Sequence, residues 1–394
     1  MVRVLYADDI ILLAESEEDL QRMLSCAEAW CRKWRMNINE KKTEIMHFRN
    51  PRTPMSQFQF QFGEKKLNYT KNYKYLGFHL DEYMNFIKGT TVLSESASRA
   101  LGGVIGKTKL LRDIGFHTYS QLYQSCVCPV LDYVAGVWGH KNFPAGETIQ
   151  NRAVRYYLGV NRFAPILATA GDMGWASCED RWSICMLRLW NRLTGMSNTR
   201  LTKKMFDWDF QSSGVWVTEL HDLLERVGWE ELYRDKVQID LNLAKELLSE
   251  ASGENWVSGV RSKPKLRTYC EIKQLFGTEN YVQYYLPKKK RSLCAQIRSG
   301  ILPLHIETGR WAGIDEEDRI CSFCVLDEIE NEIHFILHCP YYYDLRLRLF
   351  NKVEINVLDL CDVEIIARLF EHYTFAIADF IDKAWTKRQL FLFR

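Results

Sequence analysis

The sequence predicts an α+β chain that is predominantly α-helical, with its strands gathered in the first 80 residues. Three observations carry this. Residues 2–14, VRVLYADDIILLA, place two apolar runs around a pair of aspartates, the pattern of a β-hairpin with carboxylates at its turn. Residues 57–62, QFQFQF, alternate strictly, so that Phe58, Phe60 and Phe62 share one face of a strand. From about residue 89 onward, apolar residues recur at spacings of three and four, the helical period.

Between the hairpin and the alternating strand lies a helix. Ser16 is placed to cap it, and Glu17, Glu18 and Asp19 fill the first turn, where the helix dipole favours negative charge. Leu20, Met23, Leu24, Ala27, Trp30, Cys31 and Trp34 make its apolar face, and Arg32, Lys33 and Arg35 sit at the cation-favouring end. A strand or loop-strand is expected over 36–48, a turn over Gly63 to Lys66, and a last strand over 72–80, NYKYLGFHL. Helices are expected over 91–113, 117–135, 145–158 and 179–195. The pattern weakens over 198–214, where a soft boundary falls, and 216–250 reads as two more helices. Ser252, Gly253, Ser258, Gly259 and Pro264 give 251–264 the composition of a linker. The tail, Val363 to Arg394, reads as one amphipathic helix.

With 394 residues, 47% of them hydrophobic and 26% charged, the chain can bury more than one core and belongs with folded rather than disordered sequences. A net charge of +2 points to no partner, so local charge must carry that question. Met1 leads straight into a patterned strand rather than a secretory leader, and no uncharged apolar run is long enough to span a bilayer. The twelve cysteines then read as reduced thiols, some of them candidate metal ligands, in a nuclear or cytoplasmic protein with no membrane contact.

Tyr6-Ala7-Asp8-Asp9 is the first chemical candidate. Two adjacent carboxylates repel unless a cation neutralises them, and Mg²⁺ accepts carboxylate oxygens while keeping sites for water and phosphate. A pair of such ions can activate a hydroxyl nucleophile and stabilise a leaving pyrophosphate. A solvated Asp-Asp turn gives the same pattern, since Asp is an ordinary turn former.

Residues 261–298 carry ten Lys and Arg against two Glu, with Tyr269, Phe276, Tyr281, Tyr284 and Tyr285 interleaved. Basic groups neutralise phosphates and aromatic rings stack on unpaired bases, so Lys288, Lys289, Lys290 and Arg291 are candidate nucleic-acid contacts. The alternatives are a solvated helix face and a nuclear address.

Cys321-x₂-Cys324-x₉-His334-x₄-Cys339 is the strongest signal outside the hairpin. A C-x₂-C turn aims two thiolates at one point, and a His and Cys further on can close a tetrahedron around Zn²⁺. Spacing leaves the fourth ligand open, because His338 lies four residues after His334 and could share its helix face.

Taken together, YADD, the helix ending AWCRKWRMNIN with Glu40-Lys41-Lys42-Thr43 after it, and YKYLGF from Tyr73 to Phe78 follow a familiar order. They resemble the reverse-transcriptase palm of non-LTR, LINE-like retrotransposons, and the chain resembles the C-terminal part of that enzyme from the YADD motif onward. SQLYQSCVCPVLDYVAGVWG (120–139), IQNRAVRYYLGV (149–160) and GDMGW (171–175) are similar to the thumb-side region of invertebrate and fish members, extending the likeness over essentially the whole chain.

The resemblance implies an RNA-directed DNA polymerase that works by two-metal nucleotidyl transfer on an RNA template and a DNA primer. Asp8 would be the direct Mg²⁺ ligand and Asp9 its less direct partner. Tyr6 and Ala7 would lie against the primer terminus or incoming nucleotide. Lys42, with Lys41 as rival, would stabilise the pyrophosphate leaving group, and Tyr75, Leu76 and Gly77 would grip the primer. The family's Cys-Cys-His-Cys cluster is followed by Cys-Pro and a downstream Arg, as Cys339-Pro340 and Arg346 are here, which favours Cys339 as the fourth zinc ligand. The implied organisation is a partial palm (1–88), a helical thumb-like region (89–200), a connector (201–260), and a final segment (261–394) with the basic stretch, a zinc-knuckle-like lobe and the C-terminal helix.

The family also uses a further aspartate strand and fingers upstream of YADD, which have no room before Tyr6. The expectation is a fragment inactive alone, needing a longer product or a complementing upstream segment. A degenerate relic that at most binds nucleic acid through the basic stretch and the zinc lobe, and an unrelated helical interaction protein, are the competing readings.

Overall fold

The computed structural model describes residues 2–141, 143–355 and 359–392, and it divides into two compact units, Met1–Leu93 and Ser94–Arg394. Phe393 and Arg394, the end of the expected tail helix, lie outside the described residues.

In the first unit, β1 (Val2–Tyr6) pairs antiparallel with β2 (Asp9–Leu13), Tyr6 opposite Asp9. Helix α1 (Glu17–Lys33) follows as its sequence dictates: the Ser16 hydroxyl accepts from the Asp19 amide at 3.1 Å, and Met23, Leu24 and Cys31 are buried. β3 (Glu44–Ile45) precedes a small hairpin of β4 (Gln61–Phe62) and β5 (Lys65–Lys66), after which β6 (Asn68–Tyr69) runs parallel to β3. Only the last two residues of QFQFQF are laddered, yet Phe58, Phe60 and Phe62 still pack on one small core with Leu24, Ile45 and Leu67. The single strand expected over 72–80 is instead a hairpin of β7 (Asn72–Tyr75) and β8 (Phe78–Asp81). Leu76 and Gly77 turn it with φ of 45° and 88°, the left-handed pair that a two-residue hairpin turn requires.

Helices follow from α2 (Ile87–Leu110) onward. The helix expected over 117–135 is three pieces: α3 (Phe116–Cys126), α4 (Cys128–Leu131) and α5 (Ala135–Trp138). Pro129, which lacks an amide proton, sits in the first turn of α4, and Val134 adopts φ 57° before α5. Next come α6 (Pro144–Leu158), α7 (Ile166–Met173) and α8 (Cys178–Thr194). The weak stretch after residue 198 contains α9 (Leu201–Gln211), held by Phe206 edge-on against buried Trp190. Then follow α10 (Val215–Arg226) and α11 (Glu230–Arg234).

The expected linker at 251–264 is overturned. Helix α12 (Leu241–Arg261) runs unbroken through Ser252, Gly253, Ser258 and Gly259. Trp256 and Val260 are buried with Ala168 and Tyr269, the Trp256 indole donates to the Leu167 carbonyl at 2.8 Å, and Ser252 donates to Asp180. Tertiary burial outweighs the small per-residue helix cost of Ser and Gly.

The chain finishes with α13 (Arg267–Ile272), α14 (Asn280–Gln283), α15 (Lys288–Arg298), α16 (His305–Trp311), α17 (Tyr343–Phe350), α18 (Asp362–His372) and α19 (Thr374–Leu392). The tail is thus two helices, broken at Tyr373, rather than one. One large core joins α3, α6, α15, α18 and α19, so segments distant in sequence share one interior.

Candidate functional site

The acidic pair sits where the hairpin puts it. With Tyr6 opposite Asp9, Ala7 and Asp8 form a two-residue turn, and Ala7 takes φ 53°. Tyr6, Ala7, Asp8 and Asp9 are all exposed. Two hard carboxylate oxygens at a tip suit Mg²⁺ in kind, and water or phosphate would have to complete the shell. Among the described residues, no third His, Cys, Asp or Glu closes a metal-sized cluster with Asp8 and Asp9.

Lys42 is tied to this hairpin's surroundings through its backbone. The Asn39 carbonyl accepts from the Lys42 amide at 3.0 Å and from the Thr43 hydroxyl at 3.0 Å, so the Asn39-to-Thr43 spacing closes one tight turn. The Tyr73 hydroxyl of β7 donates to the Lys42 carbonyl at 3.3 Å. Partial burial, then the charges of Asp9 and Glu44, raise the Tyr73 phenol above its ordinary range. Tyr73 therefore holds the Lys42 turn and feels the charge of Asp9. Lys41 and Lys42 are both exposed, and this geometry does not choose between them. Tyr75 ends β7, and Leu76 and Gly77 form the turn of that separate hairpin.

The cysteine–histidine cluster assembles as its spacing suggests. The ligand atoms of Cys321, Cys324, His334 and Cys339 all lie within 4.8 Å of one another. The Cys321 and Cys339 sulfurs are 3.9 Å apart, and Cys324 Sγ is 3.5 Å from His334 Nε2. A tetrahedral Zn²⁺ with bonds of about 2.3 Å to sulfur needs edges of about 3.7 Å. His334–His338 is a π-helical turn in which the Cys339 amide donates to the His334 carbonyl at 2.8 Å. In an α-helix, residues five apart point about 140° from each other; the wider π turn brings His334 and Cys339 toward one point. His338 is not in the set, since its Nε2 meets Asp362 at 2.6 Å. His334 Nδ1 meets the Glu328 carboxylate at 2.8 Å, the outer contact that fixes a metal-binding imidazole. Cys321 and Cys339 belong to the large core, so the cluster is seated in its wall.

The basic stretch behaves differently from its sequence expectation. Arg291 is 1% exposed: it pairs with Asp113 at 2.9 Å, donates to the Tyr157 and Leu286 carbonyls, and lies over the Tyr157 ring. It is an interior residue, and the expectation of a nucleic-acid contact there is corrected. Arg298 is likewise buried, bidentate on Asp172, while Tyr269 and Tyr281 donate to the same carboxylate instead of facing solvent. Lys265, Arg267 and Lys273 pair with Glu307, Glu332 and Glu279. Lys288 lies over Tyr156, and burial lowers its ammonium pKa. Lys289 and Lys290 reach the surface beside Asp382 and Asp379. Asp81 accepts from two amides of its own turn, and Asp132 pairs with Arg181, so neither has a catalytic posture.

Sequence reasoning left out Tyr73 and Glu328. Tyr73 alternates with Tyr75 on one face of β7, which is the signal that could have flagged it. Glu328 carries no such signal, because the loop between the second cysteine and the histidine sets its position.

Residues 2–80 match the family described as "Reverse transcriptase (RNA-dependent DNA polymerase)". The chain is 27% identical over 162 residues to the "Probable RNA-directed DNA polymerase from transposon BS" of Drosophila melanogaster, an alignment covering 38% of this chain and 18% of that protein. It is 27% identical over 140 residues to the "RNA-directed DNA polymerase from mobile element jockey" of Drosophila funebris, covering 34% and 15%. The matched region thus spans less than a fifth of the length of either relative. No solved structure is a significant match.

Proposed function

We propose, from the premise that this chain carries a transposon reverse-transcriptase segment, that it supplies the YADD hairpin of an RNA-directed DNA polymerase and a structural zinc centre downstream. The observation carrying the first half is the turn itself: Asp8 at the hairpin tip, Asp9 beside it, and Tyr73 linking Asp9's surroundings to the Lys42 turn.

In this reading Asp8 and Asp9 hold divalent metal, which when bound would lower the pKa of the primer 3′-hydroxyl and neutralise the leaving pyrophosphate. Ala7, with no side chain beyond Cβ, leaves room at the tip for the primer terminus, and Tyr6 offers an exposed ring beside it. Lys42 or Lys41 supplies a compact charge with three donors to the leaving phosphates. Tyr73 acts on the lysine turn by holding its backbone. The Leu76-Gly77 turn presents backbone to the primer strand.

The four ligands at 321, 324, 334 and 339 leave no open position, so the zinc they hold would be structural rather than catalytic. Its work is to order the loop that leads into α17.

The test is extension of a DNA primer on an RNA template with Mg²⁺, by a polymerase carrying this segment with Asp8 intact or changed to Ala. Extension is expected to fall to background in Asp8→Ala. A variant that keeps the parent's rate overturns the assignment.

A further inference from the structure

The nucleic-acid reading of the basic run loses Arg291 but gains residues the sequence did not bring together. Lys290 of α15 reaches Asp379 of α19 at 3.0 Å. Lys383, one turn along α19, meets the same carboxylate at 2.7 Å, and Lys352, just after α17, stands 4.0 Å from it. Three ammonium groups from three parts of the chain converge on one carboxylate, which can neutralise one of them. Arg348 joins Lys352, Asp379 and Lys383 around a cavity of about 240 Å³. Lys289 lies alongside, paired with Asp382. Five cations are therefore gathered near two acids, drawn from positions spread over nearly a hundred residues.

An aromatic surface adjoins this notch. Phe375 is one turn before Asp379 on α19, so Phe375, Asp379 and Lys383 form a stripe at i, i+4 and i+8. The Phe375 ring stacks on Tyr284 with centroids 5.7 Å apart, and the two are 60% and 45% exposed. Exposed stacked rings next to surplus cations suit a strand whose bases are unpaired: phosphates take the ammonium groups and a base takes the ring. A duplex would offer phosphates only.

We propose that the notch of Lys290, Arg348, Lys352 and Lys383 around Asp379, with the Phe375–Tyr284 stack beside it, is a binding site for the phosphodiester backbone of single-stranded nucleic acid. The site is distinct from the YADD hairpin and from the cysteine–histidine cluster. It deepens the polymerase reading by naming a surface for a strand, and rests on that reading only for the class of partner.

The test is fluorescence anisotropy of a labelled 20-nucleotide oligouridylate with the full 394-residue chain over a series of salt concentrations. Lys290→Gln/Lys352→Gln/Lys383→Gln is expected to weaken binding at least ~10-fold and to flatten the slope of log K against log salt by about 2, since single strands lose about 0.7 per phosphate contact. Phe375→Ala should weaken the oligouridylate and leave a blunt RNA duplex unaffected. Circular dichroism melts of each variant confirm the fold is kept. A triple variant with parental affinity and slope, in a chain that does bind RNA, overturns this site and leaves the polymerase reading standing. A parent chain that binds no RNA overturns the site, while primer extension dependent on Asp8 separately decides the polymerase reading. Equal competition by polyglutamate overturns the assignment in favour of an acidic protein segment.

Discussion

The sulfur of Cys321 stands 3.9 Å from that of Cys339, across a site that Cys324 and His334 complete, while His338 turns away to Asp362. That geometry favours Cys339 over His338 for the choice that spacing left open. The hydrogen bond to Cys339 and burial push the Cys321 thiol up to about 12, while the same contact lowers Cys339.

Zinc content follows directly. Cys321→Ala and Cys339→Ala are expected to lose bound zinc and to melt at lower temperature, whereas His338→Ala should keep one zinc per chain. Metal analysis by atomic emission reads this. Unchanged zinc in both cysteine variants would rule out the centre, and loss in His338→Ala would reassign the fourth ligand.

Glu328 offers a finer test, because it would act on a bound metal only through His334, whose Nδ1 it meets. Glu328→Ala should leave all four ligands in place yet weaken zinc affinity by roughly 10- to 100-fold, the usual cost of losing an outer partner. Competition with a chromophoric chelator measures it. Parental affinity would show that the Glu328 contact does not orient the imidazole.

Much of this was legible in sequence, for local reasons. The YADD hairpin, the Ser16 cap and the cysteine–histidine spacing each depend on residues close together, so pattern alone reaches them. The basic stretch is the reverse case. Arg291 and Arg298 find Asp113 and Asp172, more than a hundred residues upstream, and no local count of charge reveals that. The misread linker has the same origin: Gly253 and Gly259 look like loop residues until Trp256 and Val260 are seen to be buried. The strand expected over 72–80 contained its turn, but Leu76 in a left-handed conformation is not a common turn signal.

Arg291 can be separated from its neighbours by what its loss does. Arg291→Ala removes a buried guanidinium and leaves Asp113, 12% exposed in its side chain, without its partner. The expected destabilisation is about 3 kcal/mol, the lower end for breaking a buried pair. Urea unfolding should show it, with RNA affinity unchanged under native conditions. A stable variant with weakened RNA binding would return Arg291 to the surface role.

The Leu76-Gly77 turn carries the final prediction. Gly77 at φ 88° has no Cβ to clash, and Leu76 at 45° already bears the cost of a left-handed side chain. A β-branched residue at 77 would add strain of about 1–3 kcal/mol, concentrated in a hairpin of two four-residue strands. Gly77→Val is therefore expected to loosen β7–β8, and with it the Tyr73 hydroxyl that holds the Lys42 carbonyl. Leu76→Asn should act oppositely, since Asn tolerates that region at lower cost. Amide hydrogen exchange at β7 and β8 distinguishes them: faster in Gly77→Val, slower in Leu76→Asn. In a polymerase carrying this segment, the proposed primer-gripping role predicts that Gly77→Val raises the KM for primer more than it lowers kcat, since a turn that only presents backbone to the strand would not touch the reacting phosphate. Equal exchange in both variants would mean that the turn does not hold the conformation described, and a pure kcat loss would move the turn to the reacting centre.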